Sequence, residues 1–392
     1  MADMPHAFRR GGRAATLVLV LALALAVAAT AALGADDGAP WWPIPVKSYY
    51  GIYDPGRKEP GHAAESLNRP KLEEWVPPMP PAGRYTIGVC VPHLKDPYWY
   101  AVNYGLTTEA RRLGVGLHMS VAGGYGEKAR QEAHLRRYLQ DGVDGIILAA
   151  VSYEGNDQII DELREAGIPV VEMINDVHAP AVSAKAMVSF DEVGFLAGEF
   201  LAEHAERAGL NTVRVAFFPG PRDSGWAPET LEGFTVAMEY FPGKVDIVDV
   251  AWGDTDRDVQ RDLLKRSLEA SGPVDYVVGN ALAADAAAEV LRELGMEGGT
   301  KVVATYLMPS IYDKVRSGEI LAAPSDLNVF QGRMAVDMMV RILNGEVPGR
   351  DFAFRSGPFI PVVTTENIGS YPFEGLFGPR DYNPVFDLDP GD

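Results

Sequence analysis

Residues 85–121 read YTIGVCVPHLKDPYWYAVNYGLTTEARRLGVGLHMSV, and their pattern decides the fold. A short run of apolar and β-branched residues at 85–91 gives way to an amphipathic stretch at 98–113, then Gly114, then a second apolar run at 116–121. The order is strand, helix, strand, and the same texture continues beyond it. Strands are expected at 145–148 and 169–173, with helices at 127–140 and 156–166. Gly142 and Gly167, like Gly114, sit where a helix stops and the next strand begins. A short strand at 186–190 leads into a helix at 192–208, and the alternation restarts. The second set has strands at 213–218, 245–251, 275–279, 301–305 and 320–323, and helices at 229–241, 256–270, 283–294, 309–317 and 329–344. Alternating units of this kind require parallel sheets with right-handed crossovers. Two sets in succession imply an α/β protein of two doubly wound parallel-sheet lobes joined by a hinge.

Outside this body the texture differs. Arg9, Arg10 and Arg13 precede an uncharged run from Ala14 to Ala35, and Ala32-Leu33-Gly34 places small residues at its exit. That is the layout of a secretory signal peptide cleaved after Gly34. The run is long enough to span a bilayer, which takes about 20 residues, so an uncleaved anchor is the competing reading. Residues 36–83 carry Trp41, Trp42 and many prolines, including Pro77-Pro78-Met79-Pro80-Pro81, and read as irregular chain wrapped over the body. Residues 371–392 are again rich in Pro and Asp and read as a surface tail.

Composition narrows the function. With 54 Asp+Glu against 35 Lys+Arg, the 392-residue chain carries a net charge of −19, which disfavours nucleic acid or an anionic membrane as the main partner. One cysteine, Cys90, excludes an intramolecular disulfide and a thiolate metal cluster, and its place in an apolar strand makes it a buried, inert thiol. No HExxH, Walker lysine loop or GxSxG elbow is present, and Gly123-Gly124-Tyr125-Gly126 misses the dinucleotide spacing. Asp254 and Asp256 open a helix, where capping accounts for them. His93 lies on a candidate site loop, but a lone loop histidine is more often a surface residue. The chain therefore reads as a non-enzyme that needs no cofactor and no metal.

Ligands of doubly wound sheets bind beyond the carboxyl ends of the strands. Those loops are dense in aromatic residues here. Asp96-Pro97-Tyr98-Trp99-Tyr100 follows the first strand, Tyr125 the second, and Tyr306 a later one, while Phe190 closes the strand before the second lobe. Rings around one cleft offer π-faces to a cation, and their N–H and O–H groups offer donors to an anion. Such a box suits a small methylated cation or zwitterion better than a sugar or a phosphate. Trp226 and Trp252 are further loop aromatics, either of which could be surface packing.

The residues also resemble a known family. Two βα lobes with a hinge, an export signal and no catalytic set look like the type I periplasmic binding proteins. Several segments look closer still to its trimethylamine N-oxide (TMAO) sensors, which act with a hybrid histidine kinase. They are Leu94-Lys95-Asp96-Pro97-Tyr98-Trp99, Asn103-Tyr104-Gly105, Ala122-Gly123-Gly124-Tyr125, Phe218-Pro219-Gly220-Pro221, Thr305-Tyr306-Leu307 and Phe330-Gln331-Gly332, within residues 84–345. The resemblance implies a ligand site of Asp96, Tyr98, Trp99, Tyr125, Phe190 and Tyr306, with Phe190 standing where the family has a tryptophan. It implies a partner as well, the periplasmic domain of a sensor histidine kinase. The alternative is the substrate-binding component of an ABC transporter for a sugar or other small solute. The expected division is a signal peptide at 1–34, an arm at 35–83, a first lobe at 84–189 with 325–350, a second lobe at 190–324 with 351–370, and a tail at 371–392.

Overall fold

The computed structural model describes residues 43–51 and 69–391. The expected signal segment at 1–34, its cleavage after Gly34, and Trp41 and Trp42 lie outside the described residues.

The apolar runs form two sheets. The first has nine strands in the order β15-β4-β3-β5-β6-β7-β13-β1-β2. These are β1 (Ile44–Tyr49), β2 (Lys71–Trp75), β3 (Thr86–Val91), β4 (Gly116–Val121), β5 (Gly145–Leu148), β6 (Val170–Met173), β7 (Ala184–Ala186), β13 (Arg355–Pro358) and β15 (Asp387–Leu388). The second has six in the order β14-β12-β11-β10-β8-β9, namely β8 (Thr212–Phe218), β9 (Lys244–Val250), β10 (Tyr276–Gly279), β11 (Lys301–Ala304), β12 (Ala322–Pro324) and β14 (Val362–Thr364). Strands β4, β3, β5, β6 and β7 are mutually parallel, as are β12, β11, β10, β8 and β9. Central strands such as β5 are buried along their whole length because helices cover both faces, so they read as continuous apolar runs rather than alternating ones.

The chain passes between the sheets three times, at 187–189, 325–327 and 359–361. The strand Arg355–Pro358 is therefore part of the first sheet, whereas the expected division gave 351–370 to the second lobe. The arm and tail also differ from expectation. β1 pairs antiparallel with β13 and β2 with β1, while β15 pairs antiparallel with β4. Both flanks therefore extend the first sheet. In β1, alternate residues from Ile44 are buried, a period-two signal too short to stand out among prolines. Its partner strand lies hundreds of residues away, where local propensity carries no information.

The strand expected at 186–190 ends at Ala186, and Phe190 opens the helix Phe190–Arg207. Ser189 caps that helix by accepting a hydrogen bond from the Glu192 amide at 3.3 Å. This helix packs along Trp226–Met238 with backbones nearly touching. A side chain at Gly194 would meet the Thr230 carbonyl at 1.9 Å, and one at Gly233 would meet that of Asp191 at 1.9 Å. Only glycine permits that approach, and it brings the first residues of both helices, Phe190 and Trp226, side by side.

Candidate functional site

A cleft with about 340 Å³ of space between its walls, open solvent included, lies between the lobes, lined by Asp96, Tyr98, Trp99, Tyr125, Ile174, Asn175, Phe190, Trp226, Thr255 and Tyr306. All six residues singled out from the sequence are among them. They reach it from the carboxyl ends of parallel strands and from the first turns of the helices that follow.

The first turn of the helix Pro97–Leu113 carries three of them. Asp96 caps it, accepting from the Tyr98 amide at 3.0 Å, and Pro97 fixes the first helical position. Tyr98 and Trp99 then face the cavity, their rings meeting edge to face at 5.4 Å. Tyr98 also meets Tyr306 of the second lobe at 5.3 Å. Trp226 completes the far wall, 6.1 Å from Phe190 and 5.9 Å from Tyr306.

Polar atoms are sparse and specifically placed. Burial pushes the Asp96 carboxyl up to about 6, against the opposing pull of the Tyr98 and Trp99 amides. Tyr98 donates its hydroxyl to Asp326, whose carboxyl is also raised to about 6 by burial, and Gln331 Nε2 donates to the same carboxylate at 2.9 Å. Asp326 is thus engaged within the protein. Burial holds the Tyr306 phenol well above its usual value, against a small opposing effect of the Ala281 amide. Trp99 Nε1 has no acceptor among the described residues.

Several contacts bridge the lobes. His93 Nε2 and Thr255 Oγ1 share a hydrogen bond at 3.2 Å, and Lys95 meets Asp254 at 3.4 Å. The Tyr153 amide donates to the Asp223 carbonyl at 3.2 Å. The two lobes are shut on one another. His93 is buried rather than on the surface, set edge-on behind Trp99 at 6.1 Å and Tyr125 at 5.5 Å. Burial lowers it to about 4, so it is neutral near pH 7.

Four lining residues escaped the sequence reading. Trp226 stands at the first position of its helix, three residues ahead of the expected start at 229, so its ring is buried instead of on a loop. Ile174 and Asn175 follow β6 and have no ring to draw attention, and Thr255 follows β9 in the same way. Ile174 holds φ at 66°, an uncommon conformation for a β-branched residue. The turn that imposes it is anchored beneath by Lys185, which pairs with Glu172 at 3.1 Å and with Asp176, all three buried. Trp252 lies away from the cavity, under the Arg222 guanidinium at 4.6 Å. Cys90 is buried as expected, and Asp256 caps its helix through the Asp258 and Val259 amides. Among the described residues no group of three His, Cys, Asp or Glu could hold a metal ion, and no helix is long and apolar enough to cross a membrane.

An aromatic cleft between two parallel-sheet lobes, beyond their strand ends, defines a small-solute binding protein. The chain belongs to the periplasmic binding protein domain family, whose profile matches residues 87–347. It is similar to the periplasmic protein TorT of Escherichia coli (strain K12), with 35% identity over 295 residues, 75% of this chain and 82% of that protein. Among solved structures, an ABC transporter solute binding protein from Bradyrhizobium sp. BTAi1 with bound bis-tris is 33% identical. That match covers 89% of this chain and 100% of the other, with a TM-score of 0.73. The complex of the TorS sensor domain with TorT in the presence of TMAO matches at a TM-score of 0.67 and 30% identity, over 77% of this chain and 99% of the other. The family and these relatives are binding proteins, not enzymes.

Proposed function

We propose that this chain is an exported periplasmic sensor, released from its N-terminal segment after Gly34, that binds TMAO or a related small methylated amine. The observation that carries the reading is the chemistry of the cavity wall. Rings of Tyr98, Trp99, Tyr125, Phe190, Trp226 and Tyr306 surround it, with one buried carboxylate, Asp96, and an unused indole N–H at Trp99. A methylated nitrogen cation is drawn to π-faces and to the carboxylate, and a small anionic oxygen to the indole. A sugar needs several convergent hydrogen-bonding side chains, and here Asp326 is engaged with Tyr98 and Gln331. TorT has been solved with its sensor-domain partner in the presence of TMAO, and the Bradyrhizobium protein holds bis-tris, a tertiary amine.

A thermal-shift panel of TMAO, betaine, choline, tetramethylammonium, dimethyl sulfoxide and ribose tests the reading. A ligand at a hundred times its dissociation constant stabilises by about 2.7 kcal/mol. Stabilisation by ribose and by no methylated amine overturns the proposal. The pH dependence follows from Asp96. Its carboxylate attracts a cation only when ionised, so affinity for tetramethylammonium is nearly full from about pH 7 upward and falls as pH drops through about 6. At pH 5, one unit below, the loss is about tenfold. Asp96→Asn abolishes that dependence, and a slope that survives in Asp96→Asn excludes Asp96 as its source.

The partner is the periplasmic domain of a sensor histidine kinase, supported by the likeness to TorT in its complex with the TorS sensor domain. Co-elution with the kinase domain encoded nearby, altered by ligand, is the expected result. The Bradyrhizobium likeness favours a second reading, transport, which predicts instead an association with a permease.

A further inference from the structure

Tyr125 is the one cavity phenol whose oxygen receives two hydrogen bonds from side chains. Asn175 Nδ2 donates to it at 3.2 Å from within the first lobe, and Trp226 Nε1 donates at 3.2 Å from the second. A hydroxyl oxygen has two lone pairs and one proton. With both lone pairs filled, the direction left over is the O–H bond. No carbonyl or carboxylate among the described residues accepts it. Burial also holds the phenol well above its ordinary value, so the proton stays on the oxygen. Asn175 contributes whether the lobes are open or shut, because it is held on its own lobe by a hydrogen bond to the Ala150 carbonyl at 2.7 Å. Trp226 arrives only with closure.

From this we infer that Trp226 is a specificity-determining residue: its indole N–H, delivered across the cleft on closure, commits the Tyr125 proton to an oxygen acceptor on the ligand. The assignment deepens the methylated-amine reading and rests on it. Before closure, the Tyr125 hydroxyl is free to rotate and to bond water. After closure it is a fixed donor, so a ligand with an accepting oxygen stabilises the shut form more than one that presents only methyl groups. Gly220 makes the indole's position possible. It holds φ at 127°, and a side chain there would strike Trp226 Cη2 at 2.5 Å. Phe190 offers only a ring face on this wall, and the neighbouring Trp226 supplies the indole donor.

TMAO and tetramethylammonium are similar in size and shape, and differ by an oxygen in place of a methyl group. Calorimetry with both probes on the wild type, Trp226→Phe, Tyr125→Phe and the double variant decides the matter. Trp226→Phe is expected to weaken TMAO about tenfold, a typical size for one hydrogen bond to a charged group. Tetramethylammonium binding should weaken several-fold less than TMAO binding, because phenylalanine keeps a ring face toward the methyl groups, and an unchanged urea unfolding midpoint reports that the variant is folded. In the Tyr125→Phe background, Trp226→Phe should cost TMAO nothing further, because its effect passes through the phenol. Equal losses for the two probes, or additive losses in the double variant, overturn the assignment and leave Trp226 as packing. A wild type that binds neither probe overturns instead the methylated-amine reading beneath it.

Discussion

Replacing Lys185 with methionine is expected to destabilise the protein by about 3–5 kcal/mol, the loss seen when one partner of a buried ion pair is removed. The ammonium is fully buried between Glu172 and Asp176. Methionine nearly matches its volume, so the loss measures charge rather than cavity. Two carboxylates would then share a dry pocket, and burial already holds Glu172 well above the usual carboxylate range, with Asp176 adding to the effect. For carboxyl groups raised in the native state, stability is full below the unfolded value of about 4.3 and is lost as pH climbs toward the native one. The variant should therefore lie closer to the wild type at pH 5 than at pH 8. Urea unfolding at both values checks this, and a loss under about 1 kcal/mol at pH 8 would show that the triad is not what holds the turn. The same turn presents Ile174 and Asn175 to the cavity, so ligand affinity should fall along with stability.

Trp99→Ala is expected to weaken TMAO binding by at least thirtyfold. A desolvated cation–π contact contributes about 2 kcal/mol, and the loss of the unused Nε1 donor and of ring packing adds to it. The truncation also empties a site where the indole is only 3% exposed and packs on Tyr98 and His93, so some stability is lost too. Trp99→Phe separates the contributions. It keeps a ring face for the methyl groups and removes the donor, so tetramethylammonium should be affected less than TMAO. Unchanged TMAO affinity in both variants would place the ligand outside this cavity.

The parallel core was legible because its strands obey a local rule: an apolar run of four to seven residues, a polar loop, then an amphipathic helix with a glycine at its end. Strand Gly116–Val121 and helix Pro309–Ser317 fall where the pattern put them. Strand β1 was not legible, since what makes Ile44–Tyr49 a strand is pairing with Arg355–Pro358, a contact that no window of sequence contains. The site divided along similar lines. Tyr98, Trp99, Tyr125, Phe190 and Tyr306 were found because rings at strand exits are conspicuous. Phe190 opens a helix rather than closing a strand because Ser189 caps that helix, a role the apolar run at 186–190 hides. Trp226 was set aside because its helix begins a turn earlier than its polar face suggests, and a few residues of offset separate a loop from a cavity wall. Asn175 and Thr255 matter through what they bond to, which composition does not show.

The pairing of β1 with β13 has a bearing on how the molecule is assembled. The hydroxyls of Ser48 and Ser356 meet at 2.9 Å across 308 residues of chain. Closing so long a loop adds little to the equilibrium cost, since each doubling of length adds only about 0.6 kcal/mol, but contacts of such separation form slowly. For a chain delivered N-terminus first, the earliest described strand stays an open edge until nearly the last residues have arrived. A copy truncated before Arg355 would lack the strand on which Ile44–Tyr49 docks, and its β1–β2 hairpin would have no sheet to join. Docking of that hairpin thus distinguishes full-length copies from nascent or clipped ones, in which β1 keeps its pairing with β2 but leaves its other edge open.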